Sequence, residues 1–219
     1  MIGAVIAMEC EAEILLRDMK IEREELCYGK KVYLGKAHGK DVVLTVCGVG
    51  KVNAAAGAQL LLERYHARTL INFGVAGGIH ESTEIASVYQ IEKAVQYDFD
   101  LAGLNNTKIG TLDGFEDNYL SLCTLPEEVL PLRALATGDR FNDDVDDYHL
   151  IKDYMQADIR EMEGGAIAQV AYFAQVPFYA WKAISDKAGN VSSFEQYNAN
   201  KERALEKLHD YFPRLFALL

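Results

Sequence analysis

Residues 2–8, IGAVIAM, form a continuous apolar run, too short for a buried helix and of the length of a buried strand. The run ends in Glu9-Cys10-Glu11, and a helical pattern follows over 12–19. Residues 30–50 read as two strands around a turn at His38-Gly39-Lys40-Asp41. The Ala- and Leu-rich stretch 51–66 reads as a helix, and 69–79 as a strand running into glycines. Residues 86–100 are β-rich, 103–118 irregular, 132–141 a further strand and 146–155 a short helix. Ala166, Ile167, Val170 and Ala171 recur at helical spacing. A strand at 176–186 and a closing helix at 195–218 complete the pattern. Strands alternating with helices predict one α/β domain over residues 1–219, a mixed, largely parallel sheet flanked by helices. In such sheets ligands bind beyond the carboxyl ends of the strands.

Composition narrows the function classes. The chain has 33 acidic residues against 22 Lys and Arg, a formal net charge of −11. Nucleic-acid binding wants a basic footprint, so no nucleic acid is expected as a partner, and no anionic membrane surface. Cys10, Cys27, Cys47 and Cys123 form no CxxC pair and have no histidine at a ligand spacing, so they read as reduced thiols. No metal and no cofactor are expected. There is no basic segment with a cleavage site at the start and no apolar run long enough to span a bilayer. The expected location is cytoplasmic.

Two glycine clusters, CGVGKV at 47–52 and GVAGG at 74–78, lack the spacing of a P-loop or a dinucleotide fingerprint. They read as tight turns or as places where backbone approaches a ligand. No nucleophile elbow is present, and the histidines all lie in turn or helix contexts. The carboxylates at strand ends say more. Glu11 follows the first strand, Asp186 ends the strand at 176–186, and Glu163 precedes a helix start. Taken singly, each reads as a helix cap, a first-turn acid or a solvated turn residue. Together, at three carboxyl ends, they point to acid–base work on a neutral substrate. Lys182 interrupts an apolar strand, on the same face as Asp186 by strand parity. It reads either as a buried lysine with a partner or as a snorkelling residue on an edge strand. Gly164 and Gly165 read as letting backbone pass close to a ligand, and Arg160 and Glu161 receive no role.

The segments IGAVIAMECEAE, GVGKVNAAAGAQLLL, NFGVAGGI, QYDFDLAGL, ATGDRF, EMEGGAIAQVA and AISDKAG resemble, in order and spacing, those of 5'-methylthioadenosine/S-adenosylhomocysteine nucleosidases of the nucleoside phosphorylase superfamily. The resemblance covers nearly the whole chain. It implies a nucleoside phosphorylase-like fold and hydrolysis of an adenine N-glycosidic bond, with water as co-substrate. It also implies a homodimer and a place in nucleoside catabolism such as methionine salvage. By the same resemblance, Asp186 is the acid that protonates the base, Glu11 activates water and Glu163 holds the ribose hydroxyls beside Met162. Phe141 stacks on adenine, and the backbone around Asn142 reads its edge. Met8, Val49, Leu101, Leu104 and Phe194 build the pocket for the 5'-substituent, and Ser185 adjoins the acid. Val75 stands where these enzymes carry serine and Lys182 where they carry arginine, both near the reacting water. Two other readings remain: a phosphorylase of the same fold, with phosphate replacing water, and a non-catalytic nucleoside-binding protein.

Overall fold

A computed structural model of the chain, describing residues 1–141, 143–188 and 192–219, gathers the apolar runs into one ten-stranded sheet. The strands are β1 (Ile2–Ile6), β2 (Lys20–Cys27), β3 (Lys30–Ala37), β4 (Lys40–Val46), β5 (Thr69–Gly78), β6 (Val88–Gln96), β7 (Leu120–Ser121), β8 (Leu132–Thr137), β9 (Ile159–Glu161) and β10 (Phe178–Lys187). The helices are α1 (Glu9–Leu16), α2 (Lys51–Tyr65), α3 (Ala102–Asn105), α4 (Val145–His149), α5 (Gly164–Ala174), α6 (Ser193–His209) and α7 (Phe212–Leu218). A π-helical turn, Leu150–Met155, continues α4.

The expected mixed α/β sheet is present. β1 pairs in parallel with β4 and β5, β5 with β10, and β8 with β6 and β9. The hairpins β2–β3–β4 and the pairs β5–β9, β6–β7 and β6–β10 are antiparallel. Because β10 bonds both β5 and β6, the strands β5, β10, β6, β8 and β9 close into a ring. β10 is therefore interior, and Lys182 does not lie on an edge strand.

Helices cover both faces of the sheet. Ala54, Ala58 and Leu61 of α2 and Ala166, Ile167 and Ala171 of α5 bury against one side. On the other, Ala12 and Leu15 of α1, Leu205 and Leu208 of α6 and Phe212 and Phe216 of α7 pack with Phe73 and Trp181. Each fully buried Leu, Ile or Phe among them contributes about 1.5–3 kcal/mol. Among the described residues no helix is long and apolar enough to cross a membrane.

Three departures from the sequence pattern have physical causes. β2 was not expected; it is an edge strand exposed along most of its length, so no apolar alternation marks it. The closing helix breaks at Asp210–Tyr211, where Pro213 fits the first turn of α7 but not a helix interior. The β10–β5 register shifts between Ile184 and Asp186, which removes the alternation that would put Lys182 and Asp186 on one face.

Candidate active site

The carboxyl ends of β1, β5 and β10 open, with the segment after β8, onto one cavity of about 260 Å³. This is where an α/β sheet places a ligand, at a scale that suits a small molecule. Its walls are largely apolar, built by Ala7, Met8, Val49, Val75, Ala76, Phe141, Met162 and Phe194. Into this surface project Glu11, Glu161, Glu163, Asp186 and Arg160.

Each carboxylate is held differently. Glu11, in the first turn of α1, accepts from the Met8 N–H at 3.2 Å and the Val75 N–H at 2.9 Å. A Cβ on Gly74 would stand 2.2 Å from its Oε1, so only a glycine lets the carboxylate lie against β5. Glu163 accepts from the N–H of Gly50 at 2.9 Å, across from the start of α2. Asp186 accepts from the Ser185 hydroxyl at 2.8 Å through Oδ1, while its buried Oδ2 has no hydrogen-bond partner among the described residues.

Lys182 is 2% exposed, and its ammonium meets Glu161 Oε2 at 2.9 Å. A buried ammonium needs such a partner. Glu161 also accepts from the N–H of Gly164 at 2.8 Å and of Glu163 at 3.1 Å. The helix-capping role that Glu163 invites from its position thus falls to Glu161, and the Glu163 side chain makes no cap of α5.

Burial governs the proton affinities. It lifts Glu11 to about 6, against the charge of Lys182 and the two backbone donors. Burial, with the charge of Glu161 added, lifts Glu163 to about 8 against Lys182. Burial also raises Asp186 above the ordinary aspartate value, opposed by the Ser185 hydrogen bond and the charge of Arg160. For Lys182 burial pulls downward, but the charges of Glu161, Glu163 and Glu11 outweigh it and hold the ammonium protonated.

Glu11 and Glu163 stand above their ordinary 4.5, so folding favours their protonated forms. That stability is full below about pH 4.5 and is lost as pH rises through about 6 for Glu11 and about 8 for Glu163. Glu163→Gln keeps the shape without the charge. It is expected to raise Tm by about 2–4 °C near pH 9 and to leave it nearly unchanged near pH 5, read by scanning calorimetry. An equal shift at both pH values would contradict an anion that the fold resists.

Of the residues anticipated from the sequence, Met8, Glu11, Val49, Val75, Phe141, Met162, Glu163, Ser185, Asp186 and Phe194 line the cavity. Asn142 lies outside the described residues. Leu101 and Leu104, at and within α3, do not line the cavity, and Leu104 is 80% exposed. Lys182 sits behind Glu161 rather than in the wall. Gly164 and Gly165 serve packing instead of ligand approach: a Cβ on them would stand 2.6 Å from Leu135 and 3.0 Å from Thr137 of β8.

Arg160, Glu161 and Tyr197 were not anticipated in the wall. Tyr197 follows Phe194 by one helical turn, a spacing that puts both on one face of α6. Its ring meets that of Phe141 edge-on at 5.8 Å. Glu161 and Arg160 had no such signal. Among the described residues, no group of three or more His, Cys, Asp and Glu is arranged to hold a metal ion.

Known proteins share this sequence pattern and fold. The sequence profile of the Phosphorylase superfamily matches residues 1–217. A 5'-methylthioadenosine/S-adenosylhomocysteine nucleosidase of Hydrogenovibrio crunogenus is 32% identical over 210 residues, covering 90% of each chain. Futalosine hydrolase of Helicobacter pylori superposes with a TM-score of 0.92 at 21% identity, covering 100% of this chain and 97% of its own. A Colwellia psychrerythraea nucleosidase solved with adenine superposes with a TM-score of 0.92 at 24% identity, covering 100% of this chain and 95% of its own. At these identities the two structures speak for the fold.

Proposed function

The chain belongs to the 5'-methylthioadenosine/S-adenosylhomocysteine nucleosidase family of the phosphorylase superfamily, and from that premise we propose that it hydrolyses the adenine N-glycosidic bond of such 5'-thio nucleosides. One observation carries the reading: Glu11, Glu163 and Asp186 converge on one largely apolar cavity, each in a different hydrogen-bonding environment. Environments that push the proton affinities of carboxyls apart assign acid and base.

In this mechanism Asp186, whose affinity for its proton burial raises above the ordinary aspartate value, donates that proton to N7 of adenine. The C1'–N9 bond breaks with its electron pair going to the purine, which leaves neutral. The sugar develops oxocarbenium character, which nearby carboxylates stabilise. Glu11, ionised above about pH 6, takes a proton from the water that attacks C1'. Glu163 accepts from the ribose hydroxyls. Met162 packs beside the sugar, Phe141 stacks on the base, and Met8, Val49 and Phe194 receive the 5'-substituent. Val75 offers the water an apolar wall and, through its backbone N–H, a fixed Glu11.

Phosphate in place of water fits this wall poorly. Glu11, Glu161, Glu163 and Asp186 line it, the ammonium of Lys182 is committed to Glu161, and the wall's other cation, Arg160, is engaged by Ser193 and Asp143. The assay is incubation with 5'-methylthioadenosine, with and without phosphate, following free adenine. Release without phosphate is the expected result. Release only with phosphate would make the chain a phosphorylase, and binding without release a nucleoside-binding protein. The same reading makes it one catalytic domain over residues 1–219, a cytoplasmic enzyme of nucleoside catabolism feeding methionine salvage, and a homodimer. Val52, Tyr172 and Phe173, on α2 and α5, are 80%, 58% and 65% exposed and offer a second copy an apolar surface to cover.

A further inference from the structure

Arg160 is a buried cation in the cavity wall for which binding a ribose or activating water needs no counterpart. It is 6% exposed, on β9. Its Nη2 donates to the Ser193 hydroxyl at 3.1 Å and lies 3.9 Å from Asp143 Oδ1. The Ser193 N–H donates to the same Asp143 carboxylate at 3.1 Å. Ser193 opens α6, the helix that carries Phe194 and Tyr197 into the cavity.

Arg160 and Asp186 converge on one point of β5. A Cβ on Gly77 would stand 2.9 Å from Asp186 Oδ2 and 3.2 Å from Arg160 Nε, so the guanidinium and the carboxyl flank the same point of β5 without a direct ion pair. Asp186 Oδ1 is taken by Ser185, and Oδ2 has no hydrogen-bond partner among the described residues.

We propose that Arg160, with Ser193, is a positioning residue for the proton-donating carboxyl of Asp186, holding it toward the base and stabilising the carboxylate left when its proton has gone. The inference rests on the reading of Asp186 as the acid. While Asp186 is protonated and neutral, a neighbouring cation gains little from it. As the proton passes to N7, a negative charge grows beside the guanidinium, so the attraction strengthens along the reaction. Burial works the other way and raises the proton affinity of Asp186; Arg160 and Ser193 oppose it.

The other titratable groups facing Asp186 are Asp143 before α4, Tyr197 on α6, and Glu11 and Glu163 in the same cavity wall, whereas the Lys187 ammonium next in the chain donates to the Glu81 carbonyl. Tyr197 is pushed up to about 12, foremost by burial, and stays neutral through the working range.

The test is kcat and KM against pH for wild type, Arg160→Met, Arg160→Lys, Ser193→Ala and Asp186→Asn, with 5'-methylthioadenosine as substrate. Arg160→Met is expected to lower kcat on the order of tenfold to a hundredfold, with KM changed by less than about threefold. Its alkaline limb, where the acid loses its proton, should move to higher pH, because the cation that favoured the anion is gone. Arg160→Lys should restore part of kcat and return the limb toward wild type, and Ser193→Ala should lose less in the same direction. An unmoved limb in Arg160→Met, a loss confined to KM, or Arg160→Lys no better than Arg160→Met would overturn the proposal. If Arg160→Met does not fold, the Arg160→Lys and Ser193→Ala limbs decide it. Full activity in Asp186→Asn would instead remove the acid assignment itself, which separates the two failures.

Discussion

Asp186→Asn is expected to lower turnover by about 10²–10⁴-fold while nucleoside binding changes by less than about threefold. The side chain is 1% exposed, and its Oδ2 has no hydrogen-bond partner among the described residues, so the substitution leaves packing nearly intact. An asparagine amide keeps the shape and still donates a hydrogen bond to N7, but it has no proton to transfer. Adenine would then have to leave as an anion, and the bond-breaking step would slow. Steady-state adenine release together with calorimetric binding of the nucleoside checks both halves. Turnover near wild type would remove Asp186 from the role of acid.

Gly74→Ala is expected to lower kcat nearly as far as Glu11→Gln, although Gly74 is not in the cavity wall. The new Cβ would stand 2.2 Å from Glu11 Oε1 and 2.7 Å from its Cδ. Those atoms end a flexible side chain, so the fold relieves the clash by turning the carboxyl away. Relief of that kind breaks the 2.9 Å bond from the Val75 N–H and takes the base off the water. The expected outcome is a kcat loss of about 10²-fold or more, with a Tm change of only a few degrees. Kinetics and melting on Gly74→Ala and Glu11→Gln side by side check it. A normal kcat in Gly74→Ala would show that the position of Glu11 against β5 is not needed for catalysis. A large Tm loss with normal kcat per folded molecule would make Gly74 a packing residue only.

The departures from the sequence reading share one cause. Glu163 looked like the helix cap because it precedes the helix, yet Glu161 makes the cap and also partners Lys182. Nothing in the order of residues separates two glutamates two positions apart; only the path of β9 into α5 does. Lys182 had two readings, and the closure of β10 between β5 and β6 decided for the buried one. Arg160 carried no signal, since its neighbours Ser193, Asp143 and Gly77 are remote in the chain. Leu101 and Leu104, which the resemblance assigns to the pocket for the 5'-substituent, stand outside the cavity formed by this one chain.

The sequence by itself determined the α/β class, the strand ends at which the carboxylates stand, and the family. These are legible because apolar runs, their alternation with helical spacing, and motif order are local properties of the chain. Only the tertiary structure decided which carboxyl is buried against which donor, which one caps a helix, and which cation stands beside the acid. The physical reason is that proton affinity and hydrogen bonding depend on burial and on distances of about 3 Å between groups far apart in sequence. Such distances exist only once β5, β9 and β10 have met.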